Sequence, residues 1–257
     1  MATGIGAARD IAWEAAGWER LADGVGRRRL PVWDATVGLV VGRDAALLYD
    51  TGSSLREGAA LRAQVAALLG EAPDSPAAPV PHVTHIALSH PHFDHVLGTP
   101  AFPGAAVHAA VGADALMARE RDALRADAVR QGVPPEEAAE AVGALVLPGH
   151  TVTGECTLDL GGRQVLLANV GPGHSGHDLA LLVPGEREVV FCGDLVEESG
   201  EPQAGPDAIA SRWPAALDRL LALGGEDALY VPGHGAVVDA AFVRRQREEL
   251  AARFGVS

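Results

Sequence analysis

The chain has 257 residues, 48 % of them hydrophobic and 21 % charged, with a formal net charge of −14. That length buries a substantial core as one large domain or at most two small ones, and the composition excludes a disordered chain, a collagen-like repeat and a coiled coil. The acidic balance, 34 Asp and Glu against 20 basic side chains, repels phosphate backbones, so no nucleic-acid partner is expected.

The first twenty residues carry charges throughout and no apolar core, so no secretory signal is expected there. Val37–Val41 and Ala45–Tyr49 are short apolar runs parted by Gly-Arg-Asp, which predicts a β-hairpin. After Asp50-Thr51-Gly52, apolar residues recur at helical spacing over Leu55–Leu69, with Ser53 or Ser54 as N-cap and Gly70 as the stop. Residues 72–81 read as a Pro/Ala linker inside the fold, and Val83–Leu88 as a strand running into a histidine-rich loop. Residues 113–143 are charged and alanine-rich around Pro134-Pro135, and predict two helices joined at a turn. Strands are expected at Cys156–Leu160, Gln164–Asn169, Leu179–Val183 and Val189–Cys192. Helices are expected at Trp213–Leu223 and Ala240–Phe254, on either side of a strand at Ala228–Val231. Strands and helices alternate in two groups, each ending in histidine-bearing loops. No linker divides them, so residues 1–257 are read as one α/β domain, with two similar halves.

All the basic side chains are arginine; without lysine, Schiff-base chemistry and P-loop nucleotide binding are excluded. Two cysteines, Cys156 and Cys192, make no disulfide framework and fit a reduced compartment. No stretch reaches the ~18 apolar residues of a membrane span, so the expected place is the cytoplasm, away from membranes.

The chemistry concentrates in Ser89-His90-Pro91-His92-Phe93-Asp94-His95, which carries the pattern H-x-H-x-D-H. Chance produces those four positions in about one chain per thousand. Three imidazoles and a carboxylate in six residues make poor core material, because each carries polar atoms that need partners once buried. A divalent metal supplies the partner, since imidazole nitrogens and carboxylates are good zinc ligands. Three later loops repeat the theme: Gly171–His177, Phe191–Asp194 and Val231–Gly235. Glycine in each lets the backbone turn tightly at a strand end.

Asp50, His90, His92, Asp94, His95, His174, Asp194 and His234, in this order and context, resemble the metallo-β-lactamase superfamily of metallohydrolases, over about residues 35 to 240. The resemblance implies a four-layer αββα sandwich of two mixed β-sheets flanked by helices, with the metals at the edge between the sheets. It implies that His90, His92 and His174 hold one ion and Asp94, His95 and His234 a second. Asp194 would bridge them, and Asp50 would orient ligands from behind. His177 matches the second histidine of the superfamily's G-H-x-x-G-H segment and is given a supporting part without a metal bond. The cofactors implied are two divalent ions, zinc first, with iron or manganese as alternatives. A hydroxide shared by ions ~3.5–4 Å apart would attack the substrate, with Asp94 or Asp194 as proton shuttle.

Subfamily patterns narrow the reading. True zinc β-lactamases carry cysteine or serine where this chain has Asp194. Glutathione thioesterases of the glyoxalase II type add a long C-terminal helical region, whereas few residues follow His234 here. Acyl-homoserine-lactone lactonases carry tyrosine where this chain has Glu197. The expectation is a hydrolase of a small ester, thioester, lactone or amide. The alternatives are a mononuclear-iron persulfide dioxygenase, a true β-lactamase, or a metal-binding protein without turnover. His150 also follows Leu-Pro-Gly, but His174 precedes a strand and is preferred, leaving His150 as a loop residue. His82, His85 and His108 carry no pattern, and Cys192 reads as strand packing. Arg27-Arg28-Arg29 reads as a solvated charge run or as a steering patch for an anionic substrate. The segment 113–143 reads equally as a lid or as a plain insertion. Trp33, Phe93 and Trp213 read equally as pocket wall or core.

Overall fold

A computed structural model describes residues 11–70 and 82–256. The predicted linker at 72–81 and the first ten residues lie outside that range. Seven strands form the first sheet: β1 (Glu19–Ala22), β2 (Val25–Arg29), β3 (Thr36–Val41), β4 (Ala46–Tyr49), β5 (Val83–Ala87), β6 (Ala106–Ala110) and β7 (His150–Val152), side by side in that order. β1 to β4 pair antiparallel, and β4 to β7 pair parallel. The second sheet holds β8 (Glu155–Asp159), β9 (Gln164–Asn169), β10 (Leu179–Val183), β11 (Val189–Glu197) and β12 (Leu229–His234). Its pairs are antiparallel except β11 with β12, which run parallel.

Three apolar layers account for the stacking. Val40, Leu47, Tyr49, Leu167, Leu181 and Phe191 fill the space between the sheets. There Gly38 lies against the Phe191 ring; a Cβ at that position would come within 2.5 Å of it, so the close approach requires glycine. The outer face of the first sheet offers Leu39, Ile86 and Leu88 to Leu61 and Val65 of α1 (Leu55–Leu69). The outer face of the second offers Val190, Cys192 and Tyr230 to Trp213, Leu217 and Leu220 of α6 (Trp213–Gly224), and to Val243 and Leu250 of α7 (Ala240–Phe254). The result is the expected architecture of two mixed sheets flanked by helices. Among the described residues, no helix is long and apolar enough to cross a membrane.

Local signals hold where they are strong. The β3–β4 hairpin forms, Ser54 caps α1 by accepting from the Glu57 N–H, and Gly70 ends it in the left-handed region. Asp239 caps α7 in the same way at Phe242. Four strands were not expected: β1, β2, β6 and β7. β2 contains the arginine run, whose charges hide a strand pattern, and β7 is only three residues long. Residues 113–143 form three helices rather than two: α3 (Ala113–Arg119), α4 (Arg121–Arg130) and α5 (Pro135–Gly143). Glu120 leaves helical geometry between the first two, and no Pro or Gly marks the break in the sequence. β11 continues to Glu197 through irregular pairing around Gly193, and β12 continues to His234, so Asp194 and His234 stand on strands rather than beyond them.

Candidate metal centre

The chemistry-bearing residues stand on strands or in the loops that leave them, the region where open α/β sheets place their sites. Asp50 follows β4 with φ 62°, a left-handed conformation that is uncommon for a non-glycine residue. The loop after β5 carries Ser89 to His92 and leads into the single turn α2 (Phe93–Val96), which carries Asp94 and His95. His174 lies between β9 and β10, Asp194 within β11, and His234 at the end of β12.

These side chains converge. His90, His92, His174 and Asp194 form one group of donor atoms able to hold a metal ion, with the atoms all within 4.8 Å of one another; Asp94, His95 and His234 form a second. Asp194 joins the two. One of its oxygens lies 3.2 Å from His95 Nε2, and the other lies 3.6 Å from His90 Nε2, 3.5 Å from His174 Nε2 and 3.3 Å from His234 Nε2. Asp94 reaches His95 Nε2 at 3.5 Å and His234 Nε2 at 3.4 Å.

Groups behind the histidines decide which nitrogen faces inward. Asp50 accepts the Ser89 N–H at 2.7 Å and holds His95 Nδ1 at 2.9 Å, so Nε2 of His95 points into the cluster. Asp207 lies 2.9 Å from His92 Nε2 and turns Nδ1 inward. The Trp33 carbonyl accepts from His234 Nδ1 at 2.7 Å. Ser89 Oγ lies 2.8 Å from His90 Nδ1, and Glu197 Oε1 lies 3.9 Å from His174 Nδ1. An acceptor at one ring nitrogen fixes the N–H there and leaves a lone pair at the other. For His95 and His234 those lone pairs meet at Asp94 and Asp194, whereas the inward Nδ1 of His92 lies 3.0 Å from His174 Nε2.

That arrangement is poorly satisfied by protein atoms alone. His90 Nε2, His95 Nε2, His174 Nδ1 and Asp194 Oδ1 are buried with no hydrogen-bond partner, although buried polar atoms are almost always paired. The charges are correspondingly strained. Burial opposes charge on His234, but Asp194 and Asp94 outweigh it and raise its pKa to about 11. Burial and the neighbouring His95 push His90 far down, and burial lowers His174 to about 4 despite Asp194. Burial also opposes ionisation of Asp194, yet His95, His234 and His90 hold it well below the ordinary carboxylate range. Glu197, buried and facing Asp194, rises to about 8. Converging lone pairs, orphaned nitrogens and a central carboxylate suit divalent cations.

Other expectations change. His177 bonds the Val111 carbonyl through Nδ1 at 2.8 Å and makes no hydrogen bond to the cluster; its backbone N–H reaches Ser175 Oγ, so its link to His174 is indirect. His150 is a strand residue stacked on His108 at 4.8 Å, and His108 bonds His85 at 3.1 Å. These three imidazoles form a separate group on β5, β6 and β7. None of the three arginines after Gly26 is a free cation. Arg27 is buried, paired with Glu19 and bonded to the Gly235 carbonyl beside His234; Arg28 bonds the Ala16 carbonyl; Arg29 pairs with Asp34. Trp213 is core, and Phe93 packs edge-on against Trp33. Cys192 is buried strand packing, with its thiol pushed well up by burial and so kept unreactive. Asp207, Glu197 and Ser89 were missed as supporting residues. Only Ser89 could have been found, because it adjoins the motif; the other two meet their histidines through tertiary folding.

The likeness to known proteins agrees with this geometry. A sequence profile described as the metallo-beta-lactamase superfamily matches residues 30–234. Metallo-beta-lactamase type 2 of Bacteroides fragilis is 29 % identical over 93 residues, covering 35 % of this chain and 37 % of that protein. The match thus spans little more than a third of that relative's length. Among solved structures, a metallo-beta-lactamase from Pontibacter korlensis superposes with a TM-score of 0.68 at 20 % identity, over 91 % of this chain and 97 % of that one. The metallo-beta-lactamase FIM-1 from Pseudomonas aeruginosa, in its mono-zinc form, gives 0.66 at 17 % identity, over 92 % and 95 %. At such identities the structural likeness is one of fold. The profile match over most of the length, on a sandwich whose sheet ends gather the His/Asp cluster, shows that the chain belongs to the metallo-beta-lactamase superfamily.

Proposed function

We propose that this chain is a metal-dependent hydrolase of a small ester, thioester, lactone or amide. The observation that carries the reading is the pair of orphaned inward nitrogens, His90 Nε2 and His95 Nε2, beside the orphaned Asp194 Oδ1. His90, His92 and His174 would hold one divalent ion, Asp94, His95 and His234 a second, and Asp194 would touch both. Zinc is the first choice for such a set, and the mono-zinc form of FIM-1 is in keeping with it. Two bound ions supply Lewis acidity for the substrate carbonyl and lower the pKa of water from ~15.7 toward ~7. Asp50 and Asp207 keep the histidine rings aimed. Asp94 and Asp194, at the centre, are placed to take the proton from the attacking water and return it to the leaving group. No serine or cysteine nucleophile is required, and Cys192 is buried away from such a role.

Asp194 separates this reading from a true β-lactamase, for which the resemblance associates cysteine or serine at that position. The test is a panel of ester, thioester, lactone, amide and β-lactam substrates on protein loaded with zinc, manganese or iron. Hydrolysis of one acyl class, abolished by chelation, is expected. Oxygen consumption with a persulfide, and no hydrolysis, would replace the proposal with the dioxygenase.

The supporting residue Asp207 gives a sharper check. Asp207→Ala leaves His92 Nε2 without its acceptor and frees the ring to rotate. Metal affinity is expected to fall roughly 10–100-fold, as measured by competition with a chromophoric chelator, with unchanged far-ultraviolet circular dichroism. Unaltered affinity would remove Asp207 from the account.

A further inference from the structure

Beside His92 lies a cavity of about 370 Å³ that the reaction as described leaves unused. Pro91, Leu116, Met117, Leu124 and Pro206 make its apolar surface, and the His92–Asp207 pair makes one wall. Leu116 and Met117 belong to α3 and Leu124 to α4, so the segment inserted between β6 and β7 builds most of the pocket. Its volume falls at the small end of the 300–1,000 Å³ usual for small-molecule sites.

Charged residues also line it, and each already has a partner. Asp207 is bonded to His92, Asp127 pairs with Arg130, and Glu120 pairs with Arg119 at 2.8 Å. A charged ligand group entering here would have to break one of these pairs or lose its hydration without compensation. An uncharged hydrocarbon group would displace water from Leu116 and Leu124 at no such cost. His92 offers Nδ1 to the metal cluster and borders this cavity with the rest of its ring, so a substrate group running past it stays attached to a carbonyl at the cluster.

We infer that the α3–α4 pocket binds an uncharged, apolar arm of the substrate, an alkyl or aryl group of about hexyl size, and that Leu116 and Met117 set chain-length preference. The inference deepens the hydrolase proposal and rests on it for its catalytic half. Its binding half stands alone, because pocket occupancy needs no turnover.

The chain has two methionines, Met1 and Met117, so methyl-labelled methionine gives a resonance inside the pocket, assigned by Met117→Leu. Titration with hexanamide is expected to shift the Met117 methyl signal at concentrations roughly 10- to 100-fold lower than acetamide requires, with hexylammonium far weaker than hexanamide. In parallel, kcat/KM for esters is expected to rise at least ~10-fold from acetyl to hexanoyl, and Leu116→Asp is expected to flatten that rise. A Met117 signal that ignores hexanamide, or answers acetamide equally, overturns the inference whatever the esters do. A signal that shifts as expected while no acyl substrate is cleaved supports the pocket and sinks the hydrolase reading instead.

Discussion

Replacing Asp194 by Asn is expected to lower kcat/KM for the proposed hydrolysis by roughly 10³-fold, about 4 kcal/mol of transition-state stabilisation. The carboxylate is the one group within 3.2–3.6 Å of an inward nitrogen on four histidines, His90, His95, His174 and His234. Asparagine keeps the shape and removes the charge. Under the proposed mechanism, bound ions would lose the anion between them, and the proton relay would lose one of its two carboxylates. The fold is expected to persist, because the Asp194 side chain belongs to none of the three apolar layers. Circular dichroism and bound metal read the two effects separately. Full activity in Asp194→Asn would show that the reaction does not pass through this cluster.

Metal removal is expected to cost stability as well as activity. Without cations the cluster holds buried nitrogens and a carboxylate oxygen with no partner. Each such atom carries a desolvation penalty of about 1–3 kcal/mol. A ligand that binds only the folded state adds about 2.7 kcal/mol when present at a hundred times its Kd. For a chain of this length that corresponds to roughly 5–10 °C in Tm. A melting temperature that falls on exhaustive chelation and recovers with added zinc is the expected result. Identical melting curves would mean that the cluster holds no cation tightly. The supporting residues predict a graded series, with Asp207→Ala between the wild type and the chelated protein.

The parts of this molecule that could be read in its sequence share a property: their signal is local. The H-x-H-x-D-H stretch, the glycines beside His174, Asp194 and His234, the caps at Ser54 and Gly70, and the β3–β4 hairpin each lie within a few residues. The fold class and the donor set follow from them together with the family resemblance. The unread parts depend on contacts made across the chain. Asp207 meets His92 across more than a hundred residues, and nothing in Gly205-Pro206-Asp207 announces it. β2 escaped notice because Arg27 appears solvated in sequence, whereas its guanidinium is buried against Glu19 and the Gly235 carbonyl. His150 looked like a loop residue because a three-residue strand has too few positions to show alternation. The break at Glu120 leaves no mark because helix-forming residues continue on both sides of it. Glu120 parts α3 from α4, and the two helices together line the pocket beside His92.

The central claim is that the cluster around Asp194 holds two divalent ions. Metal analysis by inductively coupled plasma mass spectrometry, on protein purified without added metal or chelator, tests it most directly. The account predicts about two zinc or manganese ions per chain, reduced in Asp194→Asn and in His92→Ala. A single iron with no second metal, or protein that stays metal-free after incubation with zinc, would contradict it.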